Sequence, residues 1–244
     1  MEKRHEARKQ GRPVEMLSVV VPAYDEVDNL EWMIAELREA LEALLEKWEV
    51  VIVDDGSRDG TGALADDLAR KYPNVRALHH DTNCGHGQAL ITGFRACKGD
   101  WLTSMPADGQ LDPNDFPTFL EHLEHADFIT SHYLDRDDGA DRALLSKGFR
   151  VLLRLLFGPL PKNEGGRFFK REVLESVELV SATFMANLEL MIRAHRKGFQ
   201  FYEVSVHCRK RQAGETKAAT PKTIAKVLWE LLKLRFLHLN PLLS

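Results

Sequence analysis

Hydrophobic positions in the first part of the chain follow two rhythms. Leu17-Ser-Val-Val-Val21 and Glu49-Val-Val-Ile-Val53 are short, nearly continuous apolar runs rich in β-branched residues, as expected of strands covered on both faces. Between them Leu30, Met33, Ile34, Leu37, Leu41, Leu44, Leu45 and Trp48 recur at helical spacing, which predicts an amphipathic helix and hence a β-α-β unit. Residues 59–72 and 87–97 read as further helices, and Val75–His79, Trp101–Met105 and Asp127–Ser131 as strands. The implied fold class is α/β, an open and mostly parallel sheet flanked by helices, whose ligands lie beyond the carboxyl ends of the strands.

The second half changes character. Residues 140–157 and 184–197 carry helical patterns, Phe201–Val206 reads as a strand, and Pro221–Leu237 as a closing amphipathic helix. No internal repeat or low-complexity linker divides the chain. The expected organisation is a basic N-terminal arm over 1–15, one domain over 16–220, and a C-terminal helix over 221–244. That helix either packs on the domain or contacts a membrane or a second copy of the chain.

A chain of 244 residues, 44% hydrophobic, is long enough for one sizeable core. Charged residues interrupt every long apolar run, and the N-terminus is polar, so neither a transmembrane helix nor a signal peptide is expected. Cys84, Cys97 and Cys208 have neither disulfide nor zinc spacing and read as reduced thiols of a cytoplasmic protein. The net charge of −4 divides unevenly: residues 1–13 carry +3, residues 201–244 carry +5, and the body −12. Basic ends on an acidic body suit an oriented approach to an anionic surface, or simply a solvated arm and helix face. No nucleic-acid partner is expected.

Polar clusters follow three of the predicted strands: Val21-Pro-Ala-Tyr-Asp-Glu26, Asp54-Asp-Gly-Ser-Arg-Asp-Gly-Thr61 and Met105-Pro-Ala-Asp-Gly-Gln-Leu-Asp-Pro113. Parallel strands end at one edge, so the three should converge. In the third, Asp108 and Gln110 can present oxygens to a hard divalent cation; the alternative is a turn before a helix starting at Asp112-Pro113. His122 and His125 beside Glu121 and Glu124 read as a solvated helix face rather than a metal site, and His79-His80 as a solvent-facing strand end.

These clusters, with Asn83-Cys-Gly-His-Gly-Gln-Ala89 and Ala107-Asp-Gly-Gln110, resemble the ordered signatures of family 2 glycosyltransferases of GT-A fold. Arg142–Ser146, Leu155–Gly158, Phe168–Arg171, Ala186–Glu189 and Arg211–Lys217 resemble its dolichyl/polyprenyl-phosphate sugar synthase branch. The resemblance covers about residues 16–220. It implies that Pro22, Tyr24, Glu26, Asp54 and Asp55 hold the nucleotide, with Gly85 and Gly87 allowing close backbone approach to the donor. It also implies Mg²⁺ or Mn²⁺ on Asp108 and Gln110, although Pro106 stands where the branch has a first Asp. Arg142 and Ser146 are implied to bind the acceptor phosphate, and Arg211 and Lys217 to close over the diphosphate. His86 replaces a common Lys or Arg, and His132 replaces a branch Arg.

The expected activity is inverting, metal-dependent transfer of a hexose from a nucleoside-diphosphate sugar, of GDP-mannose or UDP-glucose type, to a polyprenyl phosphate. Residues 160–170 lack the paired carboxylates that a hydroxyl acceptor calls for, although Glu164 could serve as a base. The alternatives are transfer to a soluble hydroxyl, and a non-catalytic sugar-nucleotide-binding protein with a degenerate metal motif. The apolar bulk of 140–157 with Lys147, Arg150 and Arg154, together with the last helix, suits peripheral contact with a membrane surface, packing on the domain, or a homodimer.

Overall fold

The computed structural model describes residues 14–107, 109, 111–134, 140–181, 183, 185–207 and 221–238, with backbone alone for 140–145, 221–226 and 237–238. Asp108, Gln110, Arg211, Lys217, Cys208 and most of the proposed N-terminal arm therefore lie outside the described residues, as does the side chain of Arg142. In chain order the elements begin with β1 (Leu17–Ala23), α1 (Val27–Leu44), β2 (Trp48–Asp54), α2 (Thr61–Lys71), β3 (Val75–His79), α3 (His86–Ala96) and β4 (Trp101–Ser104). A 3-10 turn over Pro113–Asp115 leads into the short α4 (Phe116–Leu120). Then come β5 (Phe128–Tyr133), α5 (Ala140–Phe157), β6 (Arg167–Lys170), α6 (Arg171–Glu175), α7 (Met185–Arg196) and β7 (Phe201–Val206). The last is α8 (Pro221–Lys233), extended by a π-helical turn over Leu234–His238.

Among the described residues seven strands form one sheet in the order β3-β2-β1-β4-β6-β5-β7. β6 pairs antiparallel with both neighbours, and the other recorded pairings are parallel. Alternation along the strands builds a core on each face. Leu17, Val19 and Val21 of β1 face α1 residues such as Leu30, Met33 and Leu37. Val20 shares the opposite core with Ala89, Leu90 and Phe94 of α3 and with Leu188 and Met191 of α7.

Two sequence expectations need correction. The first helix ends at Leu44, where Leu45 turns extended, and Trp48 belongs to β2, paired with Leu17. Its apolar side chain fits the helical spacing, yet it is buried as the first residue of a strand. The strand β6 was not expected at all. It has four residues, and its central pair serves opposite faces: Phe168 stacks on Phe119 in the first core, with centroids 4.6 Å apart, while Phe169 meets Phe94 edge-on at 5.1 Å in the second. Such a segment shows neither alternation nor a long apolar run.

Val227, Leu231 and Leu234 place the C-terminal helix on the second core, and Phe149, Leu152 and Leu153 place α5 on the same core. The outer faces of these helices expose Leu155 (78%), Trp229 (64%), Val151, Leu232 and Phe236. Among the described residues no helix is long and apolar enough to cross a membrane.

Candidate functional site

The register of the parallel strands sets the site. Ala23 pairs with Asp54, and Val20 with Ser104, so the loops after β1, β2 and β4 leave the sheet at one edge. Pro22 sits inside a central strand without breaking it. The Val20 carbonyl accepts from Met105 N (2.9 Å) on the β4 side, so two residues further on Pro22 also faces that side, just where β4 has ended. Its missing N–H falls where no ladder bond remains to be made.

The first two loops are laced together. Ser57 Oγ accepts from Asp25 N (3.0 Å), Thr61 Oγ1 from Glu26 N (2.8 Å), and Asp59 Oδ2 from Val27 N (3.1 Å). In return Arg58 N donates to Asp25 Oδ1 (2.9 Å). Asp25 adopts a left-handed φ of 53°, a conformation Asp tolerates better than most side chains. Burial works against the charge on Asp59, but hydrogen bonds from Thr61 and Val27 outweigh it and hold the carboxyl below its usual range. Tyr24 is left 40% exposed at this edge, with a flat face for a ligand. Glu26 Oε2 accepts from Asn29 Nδ2 (2.7 Å).

Asp54 and Asp55 diverge from the end of β2. Asp54 Oδ1 accepts from Ser57 N (3.1 Å), and Oδ2 lies 3.2 Å from His79 Nδ1. Asp55 is 2% exposed and turns both oxygens onto the next loop. Oδ1 accepts from Cys84 N (2.9 Å) and Oδ2 from Gly85 N (2.8 Å), while His80 Nδ1 lies 2.7 Å from Oδ1. His80 Nε2 reaches Thr92 Oγ1 at 2.9 Å. The sequence placed His80 at solvent; its side chain is in fact 14% exposed, tucked between Asp55 and α3. The signal available was the repeated acidic pair opposite it, which needs a donor once buried.

This anchoring aims the N-terminus of α3 at the same edge. Gly85 precedes it at φ 95°, and Gly87 is buried in its first turn. N–H groups at a helix start suit a donor diphosphate. Asp55, His80 and Cys84 also hold ligand atoms within 4.8 Å of one another. A thiol, an imidazole and a carboxylate suit a softer metal than Mg²⁺. Cys84 and Cys97 are free thiols, and burial pushes the Cys97 thiol up to about 12.

The third loop is pinned on either side of the expected metal ligands. Met105 and Ala107 are buried, and Gly109, at φ 70°, lies so close to Trp32 of α1 that a Cβ there would fall 2.3 Å from its ring. Asp112 then caps the 3-10 turn by accepting from Asn114 N (2.9 Å). The loop is thus held at both ends against α1 and the following turn.

Arg142 and Ser146, the expected acceptor ligands, stand four apart on α5, and Ser146 is half-buried. Glu164 Oε1 accepts from Arg150 Nη1 (2.9 Å), an ion pair that occupies the candidate base. His132 Nε2 lies 3.1 Å from Ser205 Oγ. Arg167 escaped the sequence reading, and it is half-buried at the start of β6 with Nη2 donating to Gly165 O (2.9 Å).

Comparison with known proteins agrees with this geometry. The sequence profile described as glycosyl transferase family 2 matches residues 18–177. A polyprenol monophosphomannose synthase of Mycolicibacterium smegmatis is 32% identical over 226 residues, 84% of this chain and 82% of that protein. A dolichol-phosphate mannosyltransferase of Pyrococcus furiosus is also 32% identical, over 89% of this chain, which spans 63% of the longer relative. Among solved structures, a glucosyl-3-phosphoglycerate synthase from Mycobacterium tuberculosis, in complex with Mn²⁺, UDP and glucosyl-3-phosphoglycerate, superposes with a TM-score of 0.68 at 23% identity. That match covers 95% of this chain and 84% of the other, and is a likeness of fold. With a GT-A sheet, three loops meeting at its carboxyl edge and a family profile over most of the domain, the chain belongs to glycosyl transferase family 2.

Proposed function

We propose that this chain transfers a hexose, with inversion, from a nucleoside-diphosphate sugar of GDP-mannose or UDP-glucose type to a polyprenyl phosphate. The observation that carries the reading is the 32% identity, over 84% of the chain, to a polyprenol monophosphomannose synthase. Tyr24 offers the nucleotide base a stacking face, with Pro22, Glu26, Asp54 and Asp55 shaping its pocket. Gly85 and Gly87 let the backbone of the α3 N-terminus approach the diphosphate. Asp108 and Gln110 are the oxygen donors for Mg²⁺ or Mn²⁺, a hard donor set that suits either ion. The bound ion supplies charge neutralisation on the leaving diphosphate.

Arg142 and Ser146 hold the acceptor phosphate, and Arg211 and Lys217 close over the donor. An anionic phosphate oxygen attacks the anomeric carbon. The bond from that carbon to the diphosphate breaks, and the nucleoside diphosphate leaves with the electron pair. The acceptor is already ionised, so no general base is required, in keeping with the engagement of Glu164 by Arg150. Leu155, Val151, Trp229, Leu232 and Phe236, flanked by Lys147, Arg150, Arg154 and Lys233, provide peripheral contact with the cytosolic membrane face. Residues 16–220 constitute the transferase domain, with a basic arm before it and the C-terminal helix after it.

The test is transfer of labelled sugar from GDP-mannose or UDP-glucose into a lipid extract containing polyprenyl phosphate. Product should form, stop with EDTA, return with Mn²⁺, and fall about tenfold or more in Asp108→Ala. Transfer to soluble sugars with none to lipid would establish the hydroxyl-acceptor reading instead. Nucleotide binding without any turnover would mark the chain as a non-catalytic binder.

A further inference from the structure

Three polar side chains, each with one buried atom left unpartnered, sit at the edge where β5 ends and the antiparallel β6 begins. The antiparallel register sets Thr130 opposite Arg167, so both project from one face of the sheet. His132, two residues along β5, projects from that face too and meets Ser205 across the parallel β5–β7 pair. It is the face of Phe128 and Phe169, the second core, on which α5 also packs. Thr130 Oγ1, His132 Nδ1 and Arg167 Nε are all buried there with no hydrogen-bond partner among the described residues. Asn187 Oδ1 is likewise unpartnered. It lies in the first turn of α7, which begins near this edge before running back to the start of β7.

The three groups on the sheet can all donate, whereas Asn187 Oδ1 only accepts. An Arg Nε can only donate, and a Thr hydroxyl can donate. His132 Nδ1 can donate when Nε2 accepts from the Ser205 hydroxyl. Among the described residues no carboxylate pairs with Arg167, whose one hydrogen bond goes to the Gly165 carbonyl. Burial accordingly pushes its guanidinium down to about 10, against an upward effect of Tyr133, which still leaves it charged at neutral pH. A half-buried cation with a buried, unused donor, on one sheet face with two further donors, suits an oxyanion.

We propose that Arg167, with His132 and Thr130, forms a phosphomonoester pocket that takes the head of the acceptor, Arg167 supplying the fixed charge where position 132 carries only an imidazole. This rests on the acceptor reading given above. It adds a charge from the sheet to those on α5, so that the phosphate would be gripped between the two layers.

Arg167→Met, Arg167→Lys, Thr130→Val and His132→Gln test it in the full chain, each checked for an intact melting transition. Acceptor KM should rise about tenfold or more in Arg167→Met, the loss of one charge-assisted contact, and recover in large part in Arg167→Lys. The donor KM should stay within about twofold in both, since the donor occupies the other loops. Inorganic phosphate, followed by ³¹P line broadening with GDP or UDP saturating the donor site, should bind the wild type and fail to bind Arg167→Met. An unchanged acceptor KM, or a loss confined to kcat that Lys does not restore, would overturn the pocket. If Arg167→Met does not fold, unchanged acceptor KM in both Thr130→Val and His132→Gln would do the same, and a rise of a few-fold in them would support it. Arg167-dependent phosphate binding in a wild type that glycosylates no prenyl phosphate would keep the pocket and discard the acceptor reading. Lipid transfer indifferent to Arg167 would keep that reading and discard the pocket.

Discussion

Asp55 accepts from the backbone of Cys84 and Gly85 and faces His80, so one carboxylate sets the loop that opens α3. Asp55→Asn preserves its shape but turns one of its acceptors into a donor facing N–H groups. A buried group left unsatisfied in this way costs about 1–3 kcal/mol. The expected outcome is a lower melting temperature together with weaker GDP or UDP binding by calorimetry, because the same loop is the one proposed to face the donor. Normal nucleotide affinity in a destabilised variant would separate the anchor from the site. The sequence marked Asp55 as a site residue but not its anchoring role, because an acidic pair after a strand does not say which oxygen meets ligand and which meets backbone. Arg167 was hidden for a related reason: a basic residue beside a glycine pair reads as surface until its neighbours in the sheet are known.

At the scale of elements, β1, α1 and β2 were legible because each buries a regular pattern in one environment. β6 was not, since Phe168 and Phe169 belong to opposite cores, and Trp48 was misread because an indole at helical spacing looks the same at the start of a buried strand. The lacing of the loops after β1 and β2 was also illegible, as Ser57, Asp59 and Thr61 look like ordinary turn and capping residues. One tie between elements has a predictable pH signature. His79 bridges Asp54 at the end of β2 and Asp66 on α2. Burial lowers its pKa, but the two carboxylates outweigh burial and leave it raised. Its folded pKa exceeds the unfolded value of about 6.5, so its stabilisation is complete below that pH and fades as pH rises through the folded pKa. The melting temperature lost on His79→Gln should therefore be larger at pH 5.5 than at pH 8.5; an equal loss at both would show that the bridge does not depend on the charge.

For the molecule as a whole, α5 and α8 share the second core while leaving Leu155 and Trp229 largely exposed among basic residues. Leu155→Glu with Trp229→Glu replaces apolar insertion by charge repulsion at an anionic surface. Sedimentation with phosphatidylglycerol vesicles should fall about tenfold or more, removing two apolar anchors, while turnover of a detergent-dispersed acceptor stays near wild type. Unchanged sedimentation would redirect this surface to contact between copies, readable as a change in oligomeric state. The sheet order has a further consequence. β4 and β5 are consecutive strands in the chain, yet they are not neighbours, because β6 lies between them. During synthesis the first four strands can assemble early, but β4 and β5 each keep an unpaired edge until Arg167–Lys170 emerges. Four residues then close the edge of β4 and one edge of β5 at once, so a nascent chain stalled before them leaves β4 and β5 open to other strands and is the species most in need of a chaperone.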